Sequence, residues 1–297
     1  MSRASALAIA VVLMLGGCSE QALPAPVPGP SGDPLAVVEE RTALLSRDGP
    51  YRDPDQAERA QGRAAARLLL AGSDDVTDLD GAFGRLGYDS AHGVDAATGR
   101  RYSMFSMSVT DGPAWGLVLA DRSAPLRYVI EVPHPGFDTN TDKLGVALYR
   151  LVPGSVLLVA GAHRAAGNGA ADVAHNDMSM FHVLATELAR GGLSQVQLHG
   201  FADKNLPDAQ AVVSTGAGRV SPLARDVASS LQGAGVIVCR AWAATCGRLE
   251  GTTNVQGKAA DDIGAQFLHI ELGWVIRGNP ERLDAVARTV AARLTSG

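Results

Sequence analysis

The feature that most constrains the fold is a regular alternation of apolar runs and amphipathic segments after Arg127. The runs that favour strands lie at residues 128–132, 155–162, 195–199, 235–240 and 266–272. The segments with helical periodicity lie at residues 141–151, 178–190, 221–232 and 280–294. Strands that alternate with helices need crossover connections, so we predict an α/β fold with a mainly parallel sheet flanked by helices.

The first third of the chain has a different character. Residues 35–71 contain two stretches of helical pattern, broken at "RDGPYRDP", and the second covers residues 55–70. Residues 76–127 are rich in Gly and Asp and carry short apolar runs, which is typical of turns, hairpins and edge strands. We therefore expect residues 35–127 to form an N-terminal helical and hairpin extension, packed on a core of residues 128–297.

The N-terminus has the pattern of an export signal. A basic start is followed by an apolar run over residues 6–15, which is shorter than the ~20 residues that span a bilayer, and then by Gly16-Gly17-Cys18. Residues 15–18 resemble the lipobox of bacterial lipoproteins, which implies removal of residues 1–17 and lipidation of Cys18. The protein would then be anchored to the outer face of the bacterial cell membrane. The alternative is a plain secretory signal with an incidental cysteine.

The composition that follows limits the partners. Residues 18–34 are rich in Pro, Gly and Ala, which indicates a semi-rigid tether rather than a core. The formal net charge is -5 and no run is rich in Lys or Arg, so nucleic acid is not expected as a partner. The sequence does not define an oligomeric state.

Two cysteines remain beyond Cys18. Cys239 and Cys246 are close in sequence, and an exported protein meets an oxidising compartment, so we predict a disulfide between them. The alternative is two buried free thiols.

Ionisable side chains follow the predicted strands at the end where parallel sheets bind ligands. His134 and Asp138 come after the first strand, and His163 and Arg164 come after the second. His199 ends the third strand and is followed by Asp203, while Glu271 lies near the end of the last strand. The chain has seven histidines in all, and their concentration at one predicted rim indicates a functional site.

Three of these residues match the ligands of a catalytic zinc ion, which are commonly two imidazoles and a carboxylate with water in the fourth position. We predict that His134, Asp138 and His199 bind Zn²⁺. Glu271 is the candidate general base for the water, and Arg164 is the candidate group for the oxyanion or a substrate carboxylate.

Each residue also has an ordinary interpretation. A single histidine at a strand end is more often a hydrogen-bonded structural residue. Asp138 in "FDTNTD" can cap the helix that begins near Thr141, and Glu271 can pair with Arg277.

A family resemblance supports the zinc hypothesis. "HPGFDTNTDKL" resembles the H-G-G-G-I-E-P-G-T-S-E-L motif of poly-γ-glutamate hydrolases, a branch of the zinc-carboxypeptidase-like (phosphorylase/hydrolase-like) fold, with His134 and Asp138 at the ligand positions. "LHGF" is similar to the segment of the second histidine ligand, here His199, and "FLHIELGWVIR" to the strand of the catalytic glutamate, here Glu271. The resemblance covers residues 128–295. The first motif is one residue shorter than the family's and has Asp in place of Glu, so the substrate preference does not transfer.

Further polar residues are candidates for binding the substrate. His163, His175 and Asn176 lie in "AGAHR" and "ADVAHNDMSMF", where Asp172 also occurs without an assigned role. Arg248, Thr253 and Asn254 follow the predicted disulfide in a Gly/Thr/Asn-rich stretch, which either shapes a pocket or is a structural surface loop.

These patterns together predict an exported, lipid-anchored, zinc-dependent amidohydrolase or peptidase. Its substrate would be a small peptide, a γ-glutamyl compound or an N-acyl amino acid. The alternative is a non-catalytic lipoprotein of the same fold that binds metal or cell-wall fragments.

Overall fold

The structure is a computed structural model, and it describes Met1 and residues 31–296. The predicted lipidation site Cys18, nearly all of the signal segment 1–17 and most of the tether 18–34 lie outside the described residues.

The described residues form one sheet of ten strands in the order β1-β2-β3-β4-β6-β5-β7-β10-β8-β9. The strands are β1 (Ser31–Gly32), β2 (Asp89–Asp95), β3 (Arg101–Ser106), β4 (Leu117–Asp121), β5 (Tyr128–Val132), β6 (Ser155–Val159), β7 (Ser194–Phe201), β8 (Ala211–Ser214), β9 (Val238–Arg240) and β10 (Phe267–Gly273). The four central strands, β6-β5-β7-β10, are all parallel to one another, so their carboxyl ends meet at one edge of the sheet.

Helices cover both faces of the sheet. They are α1 (Pro34–Ala43), α2 (Gln56–Ala71), α3 (Thr77–Gly84), α4 (Thr141–Leu151), α5 (Met180–Arg190), α6 (Pro222–Gly233), α7 (Val255–Asp262), α8 (Trp274–Arg277) and α9 (Pro280–Leu294). One apolar core packs α1, α4, α6 and α9 against the sheet, and a second packs α2, α3 and α5 against it. The α/β class and the flanking helices are therefore as predicted.

The prediction of a mainly parallel sheet is wrong, because the sheet is mixed. Strands β2, β3 and β4 are joined by short connections and run antiparallel, and β4 continues the sheet by pairing antiparallel with β6. Short connections can join only antiparallel neighbours. On the other side, β8 pairs antiparallel with β10. The zinc-carboxypeptidase-like topology stays a prediction.

The junction between β5 and α4 positions the first part of the site. The strand ends at Val132, a turn carries the chain through Asp138, and α4 begins at Thr141 as predicted. Asn140 precedes the helix with a left-handed φ of 70°, a conformation that asparagine tolerates better than most residues. The turn therefore presents its side chains at the carboxyl end of β5.

The predicted disulfide between Cys239 and Cys246 is confirmed. It links β9 to the segment that leads toward α7. Within residues 31–296, no helix combines the length and the apolar character needed to cross a membrane.

Candidate metal centre

Strand order brings the predicted site residues together. Strand β7 pairs in parallel with β5 on one side and with β10 on the other, so the residues at their carboxyl ends are neighbours. His134, Asp138, His199 and Glu271 all line one cavity of about 950 Å³ at this edge.

Three of these residues form a compact buried group that can hold a metal ion. One ligand atom each from His134, Asp138 and His199 lie within 4.8 Å of one another. Asp138 Oδ2 is 3.2 Å from His134 Nδ1 and 3.3 Å from His199 Nδ1. The three residues are 1%, 3% and 5% exposed, so bulk water does not screen their interaction.

The hydrogen bond to Asp172 determines the tautomer of His134, and therefore whether the nitrogen that faces Asp138 carries a hydrogen or a lone pair. His134 Nε2 is 2.8 Å from Asp172 Oδ1, and an ionised carboxylate can only accept. Nε2 therefore carries the hydrogen, and in the neutral imidazole Nδ1 directs its lone pair at Asp138. A carboxylate that fixes a histidine in this way is a usual partner of metal-binding imidazoles.

A chain of amides determines the tautomer of His199. Asn254 Oδ1 accepts hydrogen bonds from the backbone N–H groups of Gln256 and Gly257, so its Nδ2 is the atom that donates to Gln197 Oε1. Gln197 Oε1 is thus an acceptor, and His199 Nε2, 2.7 Å away, must donate to it. The lone pair of His199 Nδ1 then also faces Asp138.

Three acceptor atoms therefore meet in a buried space. Neutral His134 and His199 would each direct a lone pair at the same carboxylate oxygen of Asp138, an arrangement that needs a proton or a cation between the groups. Burial lowers the pKa of His199 to about 4, which keeps its imidazole neutral. Burial opposes ionisation of Asp138, but hydrogen bonds and positive charge from the two imidazoles, when a proton lies on Nδ1 in the metal-free group, outweigh it and hold the pKa of Asp138 far below its usual value. A cation would take the place of those protons. The group has the donor set and the charge for a divalent cation.

The ordinary interpretation of Asp138 is not observed. Helix α4 has Asn140 as its N-cap and no side-chain capping hydrogen bond among the described residues. The carboxylate of Asp138 contacts the two imidazoles instead.

Glu271 lies beside the candidate ligands with an unused oxygen. It is 9% exposed, and its Oε2 makes no hydrogen bond to any described residue. Arg277, the alternative partner, donates to the carbonyls of Leu272, Thr139 and Phe201, and within residues 31–296 no ion pair joins it to Glu271. Burial, reinforced by the negative charge of Asp138, raises the pKa of Glu271 well above its usual value.

A second group of possible ligands, His199, His269 and Glu271, overlaps the first. Both nitrogens of His199 are already committed, Nδ1 toward Asp138 and Nε2 toward Gln197. The second group therefore does not form an independent metal site. His269 is 2% exposed and lies under Gly251, where a Cβ atom would be 2.8 Å from His269 Nε2.

The arginines at the cavity differ in their partners. Arg164 is paired with Asp172 and lies over the ring of Phe137. Arg248 lines the cavity, is exposed, and makes no hydrogen bond or ion pair with the described residues. Arg248 is thus a cation of the cavity wall available to a ligand.

The other predicted substrate contacts differ in their position relative to the cavity. His175 and Thr253 line the cavity. His163 and Asn176 are not among its lining residues: His163 accepts from the backbone of Ala165, and Asn176 donates to Asp53 and to the carbonyl of Ala170. Asn254 borders the cavity, but its side-chain atoms are used by α7 and Gln197.

Three further residues complete the site, and no role was predicted for them: Asp172, Gln197 and His269. Gln197 precedes His199 by two residues, and His269 precedes Glu271 by two, so strand periodicity places each pair on one face. Asp172 lies between β6 and α5, and it binds His134, Arg164 and His175 at once.

A separate hydrogen-bonded chain has the composition of a nucleophilic triad. Ser103 Oγ is 2.9 Å from His92 Nδ1, and His92 Nε2 is 2.8 Å from Asp80 Oδ1. Ser103 is 1% exposed in the middle of β3, so its hydroxyl is closed to a substrate. This chain is a structural link between β2, β3 and α3.

Comparison with known proteins yields structural likenesses of low identity. No protein-family model matches the chain, and no curated protein matches it. A bacteriophage poly-γ-glutamate hydrolase is 18% identical, with a TM-score of 0.38, over 56% of this chain and 82% of its own. A gene product of Agrobacterium tumefaciens is 14% identical, with a TM-score of 0.44, over 58% and 89%. An aspartoacylase family protein of Mesorhizobium loti is 12% identical, with a TM-score of 0.38, over 70% and 67%. At these values the likenesses carry no argument about this chain, whose own residues must support any function.

Proposed function

We propose that this protein is a zinc-dependent amidohydrolase or peptidase that cleaves an amide bond in a peptide, a γ-glutamyl compound or an N-acyl amino acid. One observation carries the proposal: His134 and His199, each fixed by a hydrogen bond at Nε2, direct Nδ1 at the same oxygen of Asp138. Two imidazoles and a carboxylate are a usual ligand set of catalytic zinc.

A zinc ion, when bound, supplies a Lewis acid and lowers the pKa of a water ligand toward ~7. Glu271 is placed to accept a proton from the attacking water and to deliver it to the amide nitrogen as the C–N bond breaks. The hydroxyl of the water stays on the carbonyl carbon, so the products are a carboxylate and an amine. Asp172 holds the ring of His134, and Gln197 holds the ring of His199.

Arg248 suggests the kind of substrate that the cavity takes. Its guanidinium has no partner among the described residues, whereas Arg164 is held by Asp172. A free guanidinium binds a carboxylate well. We therefore assign substrate binding to Arg248, with a free carboxylate on the substrate, and leave Arg164 to hold Asp172 and to face the oxyanion.

The second candidate function is a non-catalytic protein that binds metal or cell-wall fragments. Glu271 favours the enzyme, because a purely metal-binding protein does not need a buried carboxylate without a hydrogen-bond partner beside the ligands. An orphaned buried polar group costs stability, and beside the candidate ligands Glu271 Oε2 is available to a water molecule.

Export and lipid anchoring at Cys18 belong to the proposal as well. Their support is the N-terminal pattern of the sequence and the Cys239–Cys246 disulfide, which suits an oxidising compartment. Cys18→Ser should release the protein from membranes. Retention of that variant on membranes after a salt wash would contradict the lipid anchor.

The experiment that tests the activity uses the full-length protein, extracted in detergent. Its zinc content is measured, and hydrolysis of an N-acetyl amino acid, a γ-glutamyl dipeptide and a cell-wall tetrapeptide is followed by amine release. We expect zinc in the protein and hydrolysis of at least one probe that stops with a chelator and returns with zinc. Zinc binding without hydrolysis of the three probes would favour the binding protein, and absence of both would overturn the proposal.

A further inference from the structure

We propose that Asn254 is a positioning residue of the metal centre: through Gln197, it fixes the tautomer in which His199 offers Nδ1 to a metal ion. The proposal rests on the proposed zinc site, but not on any catalytic activity. It replaces the expectation from sequence that Asn254 contacts the substrate.

The first step is the orientation of the Asn254 side chain. Asn254 is the N-cap of α7, and its Oδ1 accepts from the backbone N–H groups of Gln256 at 3.0 Å and Gly257 at 3.1 Å. Backbone N–H groups can only donate, so the amide of Asn254 cannot turn round without losing both bonds. Nδ2 is therefore held toward Gln197.

The second step is the orientation of Gln197. Its Oε1 accepts from Asn254 Nδ2, and its Nε2 donates to Glu131 Oε2 at 2.8 Å. Turning this amide would place Nε2 against Nδ2 of Asn254, two donors facing each other. Gln197 and Glu131 are fully buried, and Asn254 is 2% exposed, so water does not replace these bonds.

The third step is the tautomer of the metal ligand His199. Because Gln197 presents Oε1 to His199 Nε2 at 2.7 Å, Nε2 carries the hydrogen and Nδ1 does not. The opposite tautomer would place an N–H on the atom that must bind the metal, so metal binding would first require a proton to move. The helix start at Asn254 is 55 residues away in sequence from His199, yet it sets the chemistry of that ring.

Substitution of Asn254 distinguishes its proposed effect on His199 from its ordinary role as the N-cap of α7. Asn254→Asp keeps a good N-cap residue, but it replaces the Nδ2 donor with an oxygen that repels Gln197 Oε1. The amide of Gln197 should then turn and present Nε2 to His199. Asn254→Ser keeps a neutral cap that is too short to reach Gln197. Asn279→Asp is the matched control, because Asn279 caps α9 by accepting from Arg282 and is not part of the site.

Two measurements decide the proposal. Nitrogen-15 NMR of the histidines, in protein freed of metal by a chelator, reports the tautomer of His199. Competition with a chelator gives the dissociation constant for zinc. We expect the His199 signal to move toward the Nδ1–H form in Asn254→Asp, and the dissociation constant to rise about 10- to 100-fold. Asn254→Ser should change both in the same direction by less, and Asn279→Asp should change neither.

An unchanged tautomer in both Asn254 variants would overturn the proposal, as would an unchanged or lower dissociation constant in both. If the wild-type protein binds no zinc, the proposed function fails, whereas the tautomer measurement on the metal-free protein still decides the role of Asn254. The two failures are therefore distinguishable.

Discussion

Glu271 and His199 lie opposite each other in the register of the parallel strands β10 and β7. Both side chains line the same cavity, and Glu271 keeps one oxygen without a hydrogen bond to the described residues. The register therefore places a buried carboxylate beside a candidate metal ligand, although 72 residues separate the two in sequence.

Glu271→Gln should abolish most activity without removing zinc. The amide has the size of the carboxylate but cannot accept the proton of the attacking water, so kcat should fall at least ~100-fold. Turnover and zinc content are measured on the same sample. Glu271→Asp, which retains a carboxylate set back by one methylene, should lose less activity than Glu271→Gln. Equal turnover in Glu271→Gln and the wild type would exclude Glu271 as the base.

Arg248→Met should weaken binding of carboxylated substrates. Loss of a charge-assisted hydrogen bond costs ~1.5–3 kcal/mol, so KM should rise about 10- to 100-fold with little change in kcat. Arg225→Met is a suitable control, because Arg225 is exposed and stacks on Trp242 rather than lining the cavity. If the wild-type protein has the same KM for a carboxylated substrate and for the corresponding amide, Arg248 does not bind a substrate carboxylate.

Stability should fall with rising pH because of Glu131. Burial raises the pKa of this carboxyl to about 8, compared with an ordinary value of 4.5. The folded protein therefore binds a proton that the unfolded chain has released between these two values. The stabilisation is complete below about pH 4.5 and is lost as the pH rises through about 8.

Urea denaturation at several pH values checks this expectation. Glu131→Gln removes the titrating group. Between about pH 5 and pH 9, the free energy of unfolding of this variant should therefore decline less than that of the wild type. Parallel pH profiles of the wild type and this variant would show that Glu131 is ionised in the folded protein.

The disulfide should stabilise the protein under oxidising conditions. Closing so short a loop is worth about 2–3 kcal/mol in the chain-entropy estimate. The double variant Cys239→Ser, Cys246→Ser should lose that amount of unfolding free energy, and reduction of the wild type should have the same effect. Alkylation of protein purified without reductant, before and after reduction and read by mass spectrometry, should find both thiols protected until reduction. Free thiols in protein kept under oxidising conditions would contradict the link.

Several element boundaries were predictable because local signals define them. Helix α2 begins with a capping box between Asp55 and Glu58 and ends at Gly72, and α9 begins with Pro280 after the cap Asn279. Helix α7 was missed, because "VQGKAADD" lacks an apolar stripe and depends on the Asn254 cap and on packing against α5 and β10.

Strand β8 was not predicted at all. It has only four residues, and its antiparallel pairing with β10 depends on contacts distant in sequence. The rim residues His134, Asp138, His199 and Glu271 were found because strand ends converge. The role of Asp172 was not predicted. This residue lies in an irregular segment between β6 and α5, where no periodicity indicates that its side chain contacts His134.

Metal content shows whether His134, Asp138 and His199 hold one zinc ion. Zinc per chain is measured by elemental analysis on purified, folded wild type and on His134→Ala, Asp138→Ala and His199→Ala. We expect about one zinc ion per wild-type chain and a large loss in each variant, because a three-ligand site has no spare ligand. Full zinc occupancy in the folded His134→Ala and His199→Ala variants would contradict it.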